Sequence, residues 1–323
     1  MEKKSFIVFG ETLEDCYPCE KPSRKCVGGA PLNVAAMSAA QGIDSQIITC
    51  LGIDEGSRHV LETLKQCGIK TDLVQENPSS ILCHTEVQVD DKTGERSFRF
   101  FKENASFLKT DYSPDWEKKM ASALLLHIGT VCLLDDKLIE VQKRACLLAQ
   151  EKDCLISLDP NFRPSLFSTE RQAFLTRLFL PYSAILKVGK EEFFALTGKE
   201  PSKSSLAVFF EEYPSLKLVL VTMGKEGMDL YRRDGIFLHQ DAIPTRKMVD
   251  TLGCGDITYG AFLSKLAKRG LLTEERLGNA PEKELSDSLL VAAVAGSLEC
   301  ERKGALPVPS QEEIKERLAS LAQ

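Results

Sequence analysis

Short unbroken apolar runs alternate along this chain with longer stretches whose apolar positions recur at helical spacing. The runs Phe6–Phe9, Gln46–Cys50, Ala123–Ile128, Cys154–Leu158, Ser183–Lys187 and Leu218–Thr222 predict strands. Between them, Pro31–Ala40 predicts a helix with proline at its favoured first position. Gly56–Cys67 predicts a second, stopped by Gly68, and a third runs from about Asp135 to Gln150. Because the strand runs are continuously apolar rather than alternating, they suit a parallel sheet covered on both faces. Strand and helix alternating over most of the length predicts a doubly wound α/β architecture.

One region breaks the rhythm. Ile81–Val89 and Arg96–Phe101 read as two strands around Asp90–Glu95, with Gly94 supplying the turn. Thr85, Val87 and Val89 alternate with Glu86, Gln88 and Asp90, as expected of a sheet with one wet face. Such a hairpin reads equally as a lid, a dimer edge or an ordinary surface hairpin. No internal repeat and no linker long enough to divide the 323 residues is visible, so one domain spanning 1–323 is expected.

Composition narrows the function classes. The chain is 43% hydrophobic and 27% charged, with a net charge of -6, and its acidic and basic residues are interspersed. That balance argues against a nucleic-acid groove, which needs clustered Lys and Arg. No run approaches the roughly 18 apolar residues of a membrane span. The first residues lack the long apolar region of a signal peptide, and the 11 cysteines are odd in number and scattered, so a cytoplasmic protein with reduced thiols is expected. Cys16 and Cys19 have CxxC spacing, yet no second ligand pair follows, and His59, His84, His127 and His239 are dispersed; a zinc site is not expected.

Candidate chemistry lies at strand ends, where open α/β sheets bind ligands. Glu11–Asp15 follows the first strand, Asp159–Arg163 a middle one and Lys187–Glu192 the next, while Gly28–Asn33 adjoins a helix start. Carboxylates, an amide, an arginine and bare backbone at one rim suit a small polyhydroxylated ligand. Gly10 is followed by Glu11-Thr-Leu-Glu rather than a glycine fingerprint, which would repel a dinucleotide pyrophosphate. In VDTLGCGDITYGAFL (Val249–Leu263), the amides of Gly253, Cys254 and Gly255 meet a predicted helix start at Asp256, a place for an anion. Asp256 there reads either as a helix cap or as a base taking a proton from an attacking hydroxyl, kept ionised by the helix amides.

The same stretch resembles the DTxGAGDxFxGAFL signature of the ribokinase-like (PfkB-type) carbohydrate kinases. GGAPLNVA (Gly28–Ala35) resembles their N-terminal glycine signature in its fructokinase form. FGETLEDCYP (Phe9–Pro18), LDPNFRPSLF (Leu158–Phe167), KVGKEEFFALTG (Lys187–Gly198), VTMGKEGM (Val221–Met228) and ERKGALPVPS (Glu301–Ser310) resemble further family segments, in family order. The resemblance implies a three-layer α/β/α sandwich with a small β lid, here built from about 11–27 and 81–103. It implies a cytoplasmic kinase that uses ATP and Mg2+ to phosphorylate a sugar hydroxyl, with D-fructose the expected substrate. A 2-keto-3-deoxygluconate kinase or another ketose or ribose kinase is the alternative.

By the same resemblance, Asp256 matches the catalytic base and Gly253, Cys254 and Gly255 the anion hole. Asp15, Gly28, Gly29, Asn33, Asn161 and Arg163 match the sugar side. Lys187, Glu192, Thr222, Gly224 and Gly227 match the ATP side, with Gly253 and Gly255 shared, and Glu192 would place hydrated Mg2+. Asp250 lies where relatives can bind a monovalent cation such as K+. Gly189 and Ala293 depart from common family residues, which admits a catalytically degenerate sugar- or nucleotide-binding regulator; the intact Asp256 and both neighbouring glycines argue against it, while Leu252, a further departure, weighs against the monovalent cation. A homodimer through the lid is expected, with no nucleic-acid or membrane partner.

Overall fold

The computed structural model describes residues 4–17, 24–89 and 96–321. The strands are β1 (Ser5–Phe9), β2 (Leu13–Tyr17), β3 (Arg24–Gly28), β4 (Asp44–Leu51), β5 (Val74–Glu76), β6 (Cys83–Val89), β7 (Arg96–Phe101), β8 (Ala123–Gly129), β9 (Leu155–Asp159), β10 (Ile185–Gly189), β11 (Leu218–Thr222), β12 (Met228–Arg232) and β13 (Phe237–Gln240). A large sheet takes the order β13-β12-β11-β10-β9-β8-β1-β4-β5, and a second sheet the order β3-β2-β6-β7.

From β11 to β5 neighbouring strands of the large sheet run parallel, as the unbroken apolar runs predict. Alternation within each strand divides the core in two. Ile7, Phe9, Leu126, Ile128, Ile156 and Leu158 face one layer, which holds Leu138, Ala145 and Ala149 of helix Asp136–Glu151. Phe6, Val8, Leu125 and Leu155 face the other, packed against helices Ala30–Ala40, Cys254–Lys268 and Glu282–Glu299. Covering both faces is what lets a strand carry no polar side, and at about 25 cal/mol per Å2 this burial is the main driving force for the fold.

The structure adds an edge the sequence reading did not foresee. Strands β12 and β13 turn back antiparallel on β11. Gly227 makes this turn possible: its φ is +91°, and a Cβ there would lie 2.1 Å from the Gln240 carbonyl oxygen.

The predicted hairpin is present as β6 and β7, with Thr85 and Val87 buried and Glu86 half-buried. Its strand β6 pairs with β2, which pairs in turn with β3, so the four strands form one sheet. Its Gly94 turn, and Cys19 of the CxxC pair, lie outside the described residues. No helix among the described residues is long and apolar enough to cross a membrane.

Strand β1 lies between β4 and β8, so successive units leave it in opposite directions. This reversal opens a crevice at the carboxyl ends of the strands. Glu11 follows β1 into it, Val131 follows β8, and Asn161 and Arg163 follow β9.

Candidate active site

A cavity of about 450 Å3 opens at that crevice. Of the residues expected on the sugar side, Asp15, Gly29, Asn33, Asn161 and Arg163 line it, together with Gly253 and Asp256. Gly28 supports it from behind, since a Cβ there would lie 2.7 Å from Asp15 Oδ2. The second sheet contributes Asp15 and Leu13 from β2 and Phe100 from β7, so the two sheets share the site.

The helix Ala30–Ala40 starts at Gly29, whose φ is +124° and where a Cβ would lie 2.4 Å from the Glu11 carbonyl oxygen, so there is room for no side chain. One turn on, Asn33 points its amide into the crevice, and its Nδ2 donates to Asp256 Oδ2 at 2.9 Å. The two residues meet because helices Ala30–Ala40 and Cys254–Lys268 pack side by side under the same end of β1.

The helix bearing Asp256 begins earlier than predicted. It runs from Cys254, with Gly253 as its cap residue in a left-handed conformation (φ +74°). Asp256 is therefore inside the first turn, and the acceptor role of its carboxylate goes to Asn33. The cap reading is corrected by this geometry. Of the three amides expected to form an anion hole, that of Cys254 instead donates to the Thr251 carbonyl at 3.3 Å. The Gly255 amide belongs to the first turn, which has no partners inside the helix.

The helix amides were expected to keep Asp256 ionised; burial pushes its carboxyl up to about 6, with Asp159 adding to the rise, which leaves it mostly charged at neutral pH. Lys187, the Asn33 hydrogen bond and Arg163 pull in the other direction without overcoming it. Glu11 behaves similarly: burial drives it to about 7, against the Ala30 amide, which donates to its Oε1 at 3.2 Å.

Lys187 is buried in an ion pair with Asp159 Oδ2 at 2.7 Å. Burial alone would lower its ammonium, but the carboxylates of Asp159, Glu192 and Asp256 together hold it above its usual range. A Cβ at Gly255 would lie 3.5 Å from Lys187 Nζ, so this charge sits directly beside the helix start.

A second, larger cavity of about 1220 Å3 is lined by Gly189, Lys190, Glu191, Phe194, Glu200, Thr222, Met223, Gly224 and Glu226. Thr222 and Gly224, expected on the nucleotide side, are here; Gly227 is not, being spent on the β11–β12 turn. Glu192 links the two cavities: its Oε1 accepts the Phe162 amide at 2.6 Å and its Oε2 the Gly189 amide at 2.6 Å. With no side chain of its own to cap helix Lys190–Thr197, Gly189 relies on this contact.

Asp250 lies outside both linings, its oxygens accepting the amides of Leu252 at 2.7 Å and Gly304 at 3.0 Å. Cys254 Sγ lies 2.8 Å from Cys300 Sγ.

Sequence reasoning did not single out Asp159, although the Asp-Pro-Asn turn signalled it. Glu11 was noticed only as part of a polar cluster, and nothing in the local pattern marks Phe100.

The model of the pfkB family of carbohydrate kinases matches residues 3–312. Fructokinase-1 of Zea mays is 30% identical over 323 residues, covering 95% of each chain. Fructokinase-1 of Oryza sativa subsp. japonica is 28% identical over 328 residues, covering 97% of each. The solved structure of a Xylella fastidiosa fructokinase with bound ATP has a TM-score of 0.87 and 25% identity, covering 99% of this chain and 100% of that one.

Proposed function

Since this chain belongs to the pfkB family of carbohydrate kinases, phosphotransferases acting on a sugar hydroxyl, we propose that it transfers the γ-phosphoryl group of ATP to the primary 6-hydroxyl of D-fructose. One observation carries the reading. Asn33 Oδ1, Asn161 Nδ2 and Glu11 Oε2 are buried without a partner among the described residues, and all three residues line the small cavity. Unpaired buried polar atoms are costly, and a bound polyol would supply acceptors and donors for each.

Charge favours a neutral sugar. Glu11, Asp15 and Asp256 face a single Arg163 in the cavity lining. A sugar acid or phosphosugar would bring further negative charge to that set, so the 2-keto-3-deoxygluconate alternative is disfavoured. Fructose over other neutral ketoses rests on the fructokinase-like GGAPLNVA and LDPNFRPSLF segments and on the curated relatives.

In this reading Asp256 removes the hydroxyl proton as the oxygen attacks phosphorus, held in place by Asn33. The amides of Gly253 and Gly255 and the Lys187 ammonium beside the helix start face the transferred group, stabilising charge as it spreads over the equatorial oxygens, while the Cys254 amide stays on the Thr251 carbonyl. Thr222 and Gly224 line the nucleotide side. The β3-β2-β6-β7 sheet closes over the sugar as a lid, and its outer strands β3 and β7 offer edges for a second copy.

Among the described residues no cluster of side chains could hold a metal alone. A magnesium ion would therefore arrive with the ATP phosphates, keeping its waters. Glu192 fits an outer-sphere role, since each oxygen accepts one amide and retains a lone pair for such a water. When bound, the ion would neutralise charge on the β- and γ-phosphates. A K+ ion near Asp250 would find each carboxylate oxygen already accepting an amide.

The test is a coupled ADP-release assay with fructose, ribose, 2-keto-3-deoxygluconate, tagatose and adenosine as acceptors. Fructose is expected to give the highest kcat/KM; a better acceptor among the others would overturn the substrate assignment.

A further inference from the structure

The contact between Cys254 and Cys300 is used by no step of the phosphoryl transfer, and it sits at the seam that shapes the phosphate site. Cys254 opens the helix that carries Asp256, and Cys300 caps the far end of helix Glu282–Glu299. Their sulfurs are 2.8 Å apart although the residues are separated by 46 positions. Both side chains are half-buried, within reach of a small solute.

The backbone around them is stitched into one unit. The Val249 and Asp250 amides donate to the Cys300 carbonyl at 2.8 and 3.2 Å. Asp250 in turn accepts the Gly304 amide. Ala305, next along, packs so close to Gly253 that a Cβ there would lie 2.6 Å from the alanine Cβ. A movement of Cys300 is therefore transmitted to both sides of Gly253.

We infer that Cys254 and Cys300 are a reversible oxidation site whose disulfide slows phosphoryl transfer at the adjoining helix start. The chemistry requires a two-electron oxidant of the peroxide class. One thiol attacks the peroxide, the O–O bond breaks, and a sulfenic acid forms with release of one water. The second thiol attacks that sulfur, the S–O bond breaks, and the disulfide forms with release of a second water. A dithiol reductant reverses the change by exchange, leaving two thiols and its own oxidised form.

A disulfide needs its sulfurs about 2.05 Å apart, so the pair would have to close by roughly 0.8 Å. The first helical residue would be drawn toward the Cys300 loop and held there. A misplacement of about 1 Å at a reacting centre can cost about a hundredfold in rate. The effect on rate rests on the proposed role of the Gly253 and Gly255 amides, whereas bond formation does not.

The experiment treats the full chain with hydrogen peroxide, then maps linked peptides by mass spectrometry and assays sugar-dependent ADP release, before and after dithiothreitol. The expected results are a Cys254–Cys300 linked peptide and a fall in kcat of at least about tenfold, both reversed by the reductant. Cys300→Ser should keep the reduced-state activity and lose the peroxide response, and Cys300→Ala gives the same readout if the serine folds poorly. Absence of the linked peptide would overturn the inference, as would linkage without a change in rate or equal peroxide inactivation in both Cys300 variants. The peptide map needs no acceptor sugar, so failure of the fructose assignment would leave it readable.

Discussion

Asn33 and Asp256, 223 positions apart in the chain, are joined by a 2.9 Å hydrogen bond from the asparagine amide to the aspartate carboxylate. It ties the first turns of two helices across the crevice at β1. Because Asp256 is buried and driven up to about 6, a donor that favours its charged form helps determine how much base is present at neutral pH. Asn33→Leu should move the acidic limb of the kcat/KM profile to higher pH and lower kcat/KM at pH 6 by about tenfold or more. A profile superimposable on that of the wild type would show that the bond does not tune the base.

Glu11 predicts a stability effect whose sign is set by its raised carboxyl, about 7 in the folded chain against an ordinary 4.5. Such a group favours folding fully below pH 4.5, and this contribution is lost as pH rises through 7, because the buried carboxylate must then ionise. Glu11→Gln keeps an oxygen for the Ala30 amide and removes the titration. It should be more stable than wild type at pH 8, on the order of 2 kcal/mol, with the difference vanishing near pH 4. Urea denaturation at both pH values checks this.

The buried pair of Lys187 and Asp159 gives a third expectation. Lys187→Met leaves Asp159 charged and buried, with its other oxygen, Oδ1, already without a partner. The single variant should lose about 3–5 kcal/mol, and the double variant Lys187→Met/Asp159→Leu should recover most of that loss. Activity should stay low in both, since the cation beside Gly255 is gone. Denaturation midpoints together with ADP release separate the two effects; recovery of activity in the double variant would remove Lys187 from the phosphate site.

Much of this was legible in the sequence because the deciding forces are local. Strands buried on both faces must be continuously apolar, so β1, β4, β8, β9, β10 and β11 could be placed from their runs. The clusters Glu11–Asp15 and Asp159–Arg163 could be assigned to one rim because strand ends in a doubly wound sheet share an edge, whereas Asn33 and Asp256 were matched to the site through the family resemblance.

Features that depend on distant packing were not legible. That the layer packed around Asp256 raises its carboxyl to about 6 through desolvation could not be read from the helix start alone. Glu192 joins Phe162 and Gly189, segments whose contact no local pattern announces. The edge strands β12 and β13 rest on the tight Gly227 turn, and Phe100 reaches the cavity only because a second sheet folds across it.

The central claim is that Asp256 is the base of a sugar kinase, and Asp256→Asn tests it most directly. The amide matches the carboxylate in size and can still pair with Asn33, so the fold, ATP binding and fructose binding should persist. In the coupled ADP-release assay kcat should fall by about 10^2- to 10^4-fold, the usual contribution of a positioned base. A variant that binds both substrates and retains kcat within a few-fold of wild type would contradict the account.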